Sequence, residues 1–202
     1  GVDVRDFKAV LREIKNYFDP DRDFLLLPKV PPDTLDFTRP SFHLGSKMIL
    51  DATANKEPTW ANGMSQPMQI DPGSVDSRVV SWRILEDTML IVKVRGDGKE
   101  VLKSVHDRIS SQRESGIIKV LVAVSEDVHL EDPVNLLWGI FTRFDPARDV
   151  WFPHMRLEGI APVYRGILHI DATYKPSYPK PLEIPDEIRM LVDKRWSEYW
   201  HL

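Results

Sequence analysis

The sequence has no cysteine among its 202 residues. Disulfides, thiolate nucleophiles and cysteine-held metals are therefore excluded together. Long apolar runs are also missing. The longest, FLLL at 24–27 and VLVAV at 120–124, fall far short of the roughly 20 residues a membrane-spanning helix needs. There is no basic excess: 27 Lys and Arg face 31 Asp and Glu, the net charge is −4, and no Lys/Arg stripe stands out. Such a chain has little attraction for a phosphate backbone, so nucleic acid is not an expected partner. No signal peptide opens the sequence, which reads as soluble and cytoplasmic. The hydrophobic content of 42% argues against disorder, and the length is enough to bury a core without staples.

Against these absences stands one internal echo. FDPDRD at 18–23 returns as FDPARD at 144–149. Sliding residues 2–24 onto 128–150 without a gap adds the identities Val2/Val128, Asp6/Asp132, Leu11/Leu137 and Ile14/Ile140. Downstream, LDAT at 50–53 answers IDAT at 170–173. The chain is expected to carry a partial internal duplication.

The two copies predict the same local path. Asp6 and Asp132 sit at N-cap positions, with Pro133 at the first helical position of the second copy. An amphipathic helix follows each cap, with Val10, Leu11, Ile14 and Phe18 on one face in the first copy and Leu137, Trp138 and Phe141 in the second. Asp-Pro is expected to end each helix, because the residue before proline is driven out of the α region. Strands are predicted at 23–28 and 149–154, and again at 47–53 and 166–173. The second copy has an upstream half as well: a strand at 88–95, a helix over 98–116 with Val101, Leu102, Val105 and Ile109 on one face, and a strand at 117–124. The implied order, β-α-β-α-β-β, is that of an α/β layered fold with a mixed, mainly parallel sheet and flanking helices. The expected organisation is a truncated first copy over 1–57, a linker over 58–78 and a second, more complete copy over 79–202. After a proline-rich crossing at 174–185, a C-terminal helix over 186–200 should dock through Ile188, Leu191, Val192 and Trp196. The first copy lacks the strand that precedes Asp127 in the second, so its sheet edge should be open to another chain and a homo-oligomer is expected. We also expect the sequence to be the C-terminal part of a longer protein.

Candidate chemistry is sparse. Asp19, Asp21 and Asp23 have the spacing that opens a calcium loop, but Phe24 and Val30 stand where that loop needs Gly and Glu. Helix termination and ion pairs of Arg22 and Arg148 are the expected roles of the two stretches. RGDGKE at 95–100 lacks the spacing and the Ser/Thr of a P-loop, so a plain strand-to-helix connection is expected there. The six histidines are scattered in sequence with no i, i+4 pair. His169 and Asp171 share a strand face and are expected to make a local hydrogen bond. No residue is assigned a catalytic or metal-binding role. The most distinctive stretch is HLGSKMILDAT at 43–53. Gly45 and Ser46 could offer backbone N–H groups beside Lys47 as an anion-binding nest at a strand mouth, against the plainer reading of a tight turn and a solvated lysine.

That stretch also carries a resemblance. GSKMILDAT resembles the GSKMGLDAT signature of the UbiD-type decarboxylases, and EDVHLEDPVNLLWGIFTRFDPARD at 126–149 is similar to that family's strand-exit and helix block. Both motifs lie in the C-terminal domain of those enzymes, a mixed α/β domain that follows a flavin-binding domain. The presence of two copies resembles the longer subgroup associated with menaquinone biosynthesis. The resemblance implies a decarboxylase of small aromatic or unsaturated acids that uses prenylated FMN with Mn or Mg and potassium. It also implies that these are bound mainly by an upstream domain of the same polypeptide and that no cofactor is held by this region alone. Gly45, Ser46 and Lys47 are the residues it would place at the cofactor cleft. The first copy departs from the pattern at Arg12, Asn16 and Tyr17, and the second has Ile167 where Lys47 would fall. The region is thus expected to assemble the enzyme and cover its active site. A stand-alone oligomerisation module and a small-ligand-binding α/β domain remain open as alternatives.

Overall fold

A computed structural model describes residues 2–39, 41, 43–53, 58, 59, 70–111, 118–179 and 184–200. In chain order the elements are α1 (Phe7–Tyr17), α2 (Pro20–Asp23), β1 (Phe24–Val30), β2 (Gly45–Leu50), α3 (Pro72–Val75), β3 (Val79–Leu85), β4 (Met89–Val94), α4 (Gly98–Ser110), β5 (Val120–Val124), α5 (Pro133–Phe141), α6 (Pro146–Asp149), β6 (Val150–Trp151), β7 (His154–Glu158), β8 (Ala161–Arg165), β9 (Leu168–Ala172) and α7 (Asp186–Lys194). The interior of the expected linker at 60–69, the helix end expected at 112–116 and residues 180–183 of the proline-rich crossing lie outside the described residues.

A five-stranded sheet in the order β3-β4-β5-β9-β6 forms the centre. Its three middle strands run parallel, and the edge strands β3 and β6 are antiparallel to their neighbours. Every residue of β5 and β9 is buried, as expected for middle strands covered on both faces. On one face α4 packs Val101, Leu102, Val105 and Ile109 against Leu90, Val92, Leu121 and Ala123. On the other, Ile91, Val122, Leu168 and Ile170 meet Leu136 and Ile140 of α5 together with Leu11 and Phe18 of the first segment. β1 and β2 form a separate antiparallel pair, as do β7 and β8. Among the described residues no helix is long and apolar enough to cross a membrane.

The two similar segments repeat their local hydrogen bonds. Asp6 accepts from the N–H groups of Lys8 and Ala9, and Asp132 from those of Val134 and Asn135. The Asp23 carboxylate accepts from the Asp19 N–H at 2.9 Å, as Asp149 does from Asp145 at 2.8 Å. Thr53 donates N–H and O–H to Asp51, and Thr173 does the same to Asp171. Phe24 pairs with Leu50 in one sheet and Val150 with Ile170 in the other, which is the same register relative to the two DAT stretches.

Several expectations are corrected. Asp19 and Asp145 are extended, so each helix does stop there, but each aspartate then caps a further helical turn, α2 or α6, through its proline. α5 buries Leu136, Gly139 and Ile140, while Trp138 and Phe141 face outward. Its sequence is apolar nearly all round, so periodicity could not select the face. Gly139 is the deciding residue: a Cβ there would lie 2.7 Å from Val128. The strand expected at 149–154 is only β6, because Pro153 cannot donate to the ladder. β3 is an additional strand that the sequence does not announce. Its turn into β4 has Glu86 and Asp87 at φ 50° and 49°, closed by Thr88 N–H donating to the Leu85 carbonyl at 2.9 Å. Asn and Gly are the usual markers of such a turn. The β7–β8 hairpin is likewise additional. Finally, α7 docks nowhere among the described residues. Ile188, Leu191 and Trp196 are 45%, 49% and 55% exposed and Val192 is half-buried. Both faces of the central sheet are already covered by α1, α4 and α5, so the sheet itself offers it no face.

Candidate functional site

Gly45, Ser46 and Lys47 form the head of β2, paired across to β1 with Val30, Pro28 and Leu27. A nest requires successive residues in right- and left-handed helical conformations, whereas these three are strand residues. The positive φ of the stretch belongs instead to His43, at 56°. The expected nest is therefore not formed. Gly45 is buried, with space for a Cβ only at 3.4 Å from Pro32. The Ser46 hydroxyl accepts the N–H of Ala147, at the start of α6, at 2.8 Å. Lys47 is exposed beside that anchor. The motif thus becomes one lysine held on a strand that is tied to the other segment.

α6 connects this strand head to a cluster that sequence reading missed. Arg148 donates to the Thr38 carbonyl, and Lys99 donates to the Arg148 carbonyl at 3.1 Å. Lys175 donates to the carbonyls of Asp171, at 2.6 Å, and Arg143, at 3.1 Å, with the Asp149 and Asp171 carboxylates each 3.8 Å away. Burial depresses its affinity for a proton, and the two carboxylates oppose that shift. Arg143, itself buried, makes a two-pronged pair with Asp127 at 2.8 and 2.6 Å. This hydrogen bonding holds the Asp127 carboxyl below its ordinary range. The Tyr178 hydroxyl donates to the Arg143 carbonyl at 3.4 Å, and burial pushes its pKa up to about 12. These groups gather beyond the carboxyl ends of β5 and β9, where α/β sheets place their sites. The signal was available in the polar exits SED at 125–127 and TYK at 173–175. Each cation here already has acceptors, so the cluster acts as a rigid clamp behind Lys47.

The remaining sequence candidates resolve into structural roles. Asp21 pairs with Arg165 at 2.8 Å and Arg156 at 3.4 Å, and Asp19 and Asp23 serve the α2 turn. Arg22 lies 3.5 Å from Asp23 and Arg148 3.8 Å from Asp145. In RGDGKE, Asp97 caps α4, and a Cβ on Gly98 would come within 2.5 Å of the Asp171 carboxylate, so that glycine permits close packing of helix on sheet. The expected His169–Asp171 bond is replaced by the one from Thr173. His169 instead stacks on Trp151 at 5.0 Å and meets His106 edge-on at 4.8 Å. The fold thus brings together histidines that are scattered in sequence.

Comparison with known proteins places these features in a family. The C-terminal domain of 3-octaprenyl-4-hydroxybenzoate carboxy-lyase, the UbiD C-terminal domain, matches residues 1–52 and 74–169. The chain belongs to this family. A protein of Chlamydia pneumoniae, named as one of the subunits of 4-hydroxybenzoate decarboxylase, is 28% identical over 200 residues, covering 96% of this chain and 31% of that protein. An uncharacterized protein of Chlamydia caviae is 28% identical over 207 residues, covering 98% of this chain and 32% of its own length. The chain therefore spans about a third of the curated relatives it matches. Among solved structures, the vanillic acid decarboxylase of Sedimentibacter hydroxybenzoicus in closed form aligns at 22% identity and a TM-score of 0.44, over 64% of this chain and 30% of that one. The UbiD-class enzyme HmfF of Pelotomaculum thermopropionicum with prFMN aligns at 18% identity and a TM-score of 0.41, over 57% and 26%.

The residues present can be tested against such a flavin. Lys47 and the hydroxyl proton of Ser46 suit a phosphate oxygen. Among the described residues, however, no group of three His, Asp or Glu side chains is placed to hold a metal ion. The candidate site fits at most the phosphate end of the cofactor and not the group as a whole.

Proposed function

We propose that this chain is the C-terminal, active-site-covering and assembly region of a prenylated-FMN-dependent aromatic acid decarboxylase serving quinone biosynthesis. On this reading the flavin, its divalent metal and potassium are held by an upstream domain of the same polypeptide, and the two similar segments descend from one duplicated unit. Family membership, together with the length of the relatives, supports the reading. The observation that carries it is Lys47: an exposed ammonium on a strand pinned by the Ser46–Ala147 bond, with no carboxylate within ion-pair distance among the described residues. A cation carried on a strand anchored in this way is suited to meeting a negative charge on a partner surface. No step of decarboxylation is assigned to this chain's residues.

The test is Lys47→Ala in the full-length decarboxylase. Turnover should fall about a hundredfold, the effect of losing one preorganised electrostatic partner, while thermal stability stays near that of the parent. Unchanged turnover would reduce the motif to a strand head. The open edge of the β1–β2 pair, which meets no third strand among the described residues, also favours an oligomerisation role. Light scattering at ~100 μM, a range that registers weak self-association, should give a mass above the monomer.

A further inference from the structure

The two segments grip one another reciprocally. At one junction Ser46, at the head of β2, binds the N–H of Ala147 in α6. At the other, Arg165, just before β9, binds the Asp21 carboxylate in α2 at 2.8 Å. Ala147 and Asp21 occupy the same place in the two FDPxRD stretches. The first junction is closed by direct contact, whereas the second opens into a cleft of about 550 Å³, a volume typical of small-molecule sites.

The apolar wall of this cleft is made by Ile118, Ile167 and Pro153, and its polar wall by Lys119, His106, His154 and Arg165. Two acids also line it, and both already have partners. Asp21 is bound by Arg165 and Arg156. Asp19 accepts from the Asp21 N–H within its own turn and lies 3.9 Å from Arg22. Lys119 differs from them. Its ammonium is half-buried, its hydrogen bond to the Thr59 hydroxyl is long at 3.4 Å, and no carboxylate lies within ion-pair distance among the described residues. A buried cation without a counter-charge is costly, and proteins normally pair it. Burial accordingly lowers the proton affinity of both Lys119 and His106. His106 Nε2 is engaged with Ser110 Oγ at 3.0 Å, whereas its Nδ1 is buried without a partner. In a molecule of net charge −4, this is a local concentration of unsatisfied donor capacity against an apolar wall.

We infer that this cleft is a second ligand site, distinct from the Lys47 strand head, that takes a small organic molecule carrying a carboxylate or phosphate. The oxyanion sits on Lys119 and the free guanidinium face of Arg165, the imidazoles of His106 and His154 flank it, and the apolar body lies on Ile118, Ile167 and Pro153. Gly166 lines the cleft against Pro153: its φ is +93° and a Cβ there would meet Pro153 at 2.6 Å, so only glycine permits this close approach. The inference does not rest on the decarboxylase reading.

The test is titration of the intact chain with benzoate and, separately, with inorganic phosphate at constant ionic strength, following the imidazole proton resonances of His106 and His154. Saturable shifts confined to these rings are expected. Tighter binding of benzoate would identify a carboxylate with an apolar body, and tighter binding of phosphate a phosphoryl group. Lys119→Met should weaken binding at least about tenfold, as loss of one charge-assisted hydrogen bond does. Arg165→Gln, at an exposed position, gives an independent reading should Lys119→Met fail to fold. Shifts that do not saturate with either anion, or binding that survives both substitutions unchanged, would overturn the site.

Discussion

The FDPDRD and FDPARD stretches make the same hydrogen bonds in unlike surroundings. Asp23 and Asp149 each close their turn onto the backbone N–H four residues earlier. Beside Asp23 stands Arg22, a half-exposed surface side chain, whereas Asp149 lies 3.8 Å from the half-buried ammonium of Lys175. The strands diverge in the same way. β9 runs through the middle of the central sheet with every residue buried, while its counterpart β2 lies in a two-stranded sheet with alternate residues exposed. His169 is 1% exposed where the equivalent Ile49 is 49% exposed. Local structure therefore follows the repeated letters, and energetic weight follows what packs against them.

The sharpest test of this difference is the pair Asp149→Ala and Asp23→Ala. Removing Asp149 leaves the Asp145 N–H without its acceptor and takes one of two carboxylates from Lys175, so a loss of about 2 kcal/mol is expected. Removing Asp23 leaves the Asp19 N–H without its acceptor, a bond whose loss should cost about 1 kcal/mol. Urea unfolding of the two variants measures both, and equal losses would mean that the two turns carry equal weight.

A second expectation concerns pH. Burial holds His169 at about 4, below the 6.5 of a free imidazole. Between these values the unfolded chain binds a proton that the folded chain refuses, so stability rises with pH across the window. Acidification from pH 6.5 to 4 should remove about 3 kcal/mol through this residue. His106, whose proton affinity burial also lowers, acts in the same direction. His169→Phe keeps a ring against Trp151 and should flatten most of the slope in denaturation curves taken across this range. A variant with an unaltered slope would place the acid sensitivity elsewhere.

The smallest effect sharpens the contrast between the helices. Gly139 of α5 lets Val128 approach closely, while the equivalent position in α1 is the half-buried Glu13 and the residue matching Val128 is the exposed Val2. Gly139→Ala should cost about 2 kcal/mol through overpacking. Glu13→Ala should stay within about 0.5 kcal/mol, as surface changes do. Thermal unfolding of the two variants decides, and a neutral Gly139→Ala would show that α5 is free to shift.

Legibility from sequence followed the same division. The caps Asp6 and Asp132, the apolar stripe of α4 and the strands β4 and β5 could be read in advance, because each depends on residues within a few positions of one another. β3 was missed because its turn uses Glu86 and Asp87 rather than the usual glycine, and the face of α5 because nearly all its residues are apolar. At the candidate site, Gly45, Ser46 and Lys47 were legible as a motif, but their geometry was not: the strand pairing that rules out a nest involves Leu27, Pro28 and Val30, across the proline-containing stretch 31–44. The clamp of Lys175, Arg143 and Asp127 joins strand exits far apart in the chain: the polar exits at 125–127 and 173–175 were legible one by one, but not that they meet.

By itself the sequence determined the family, the two similar segments, their shared caps and turns, and the exclusion of cysteine chemistry. These are properties of composition and of hydrogen bonds that close over four residues or fewer. The tertiary structure alone decided that the second DPxRD turn meets Lys175, which apolar residues of α5 and α7 are covered, and that His106, Lys119 and Arg165 line one cleft. Those outcomes depend on which surfaces meet once the central sheet is assembled. A side chain's exposure and charge partners are set by elements distant in sequence, and nearly the same six letters can therefore stand in different surroundings.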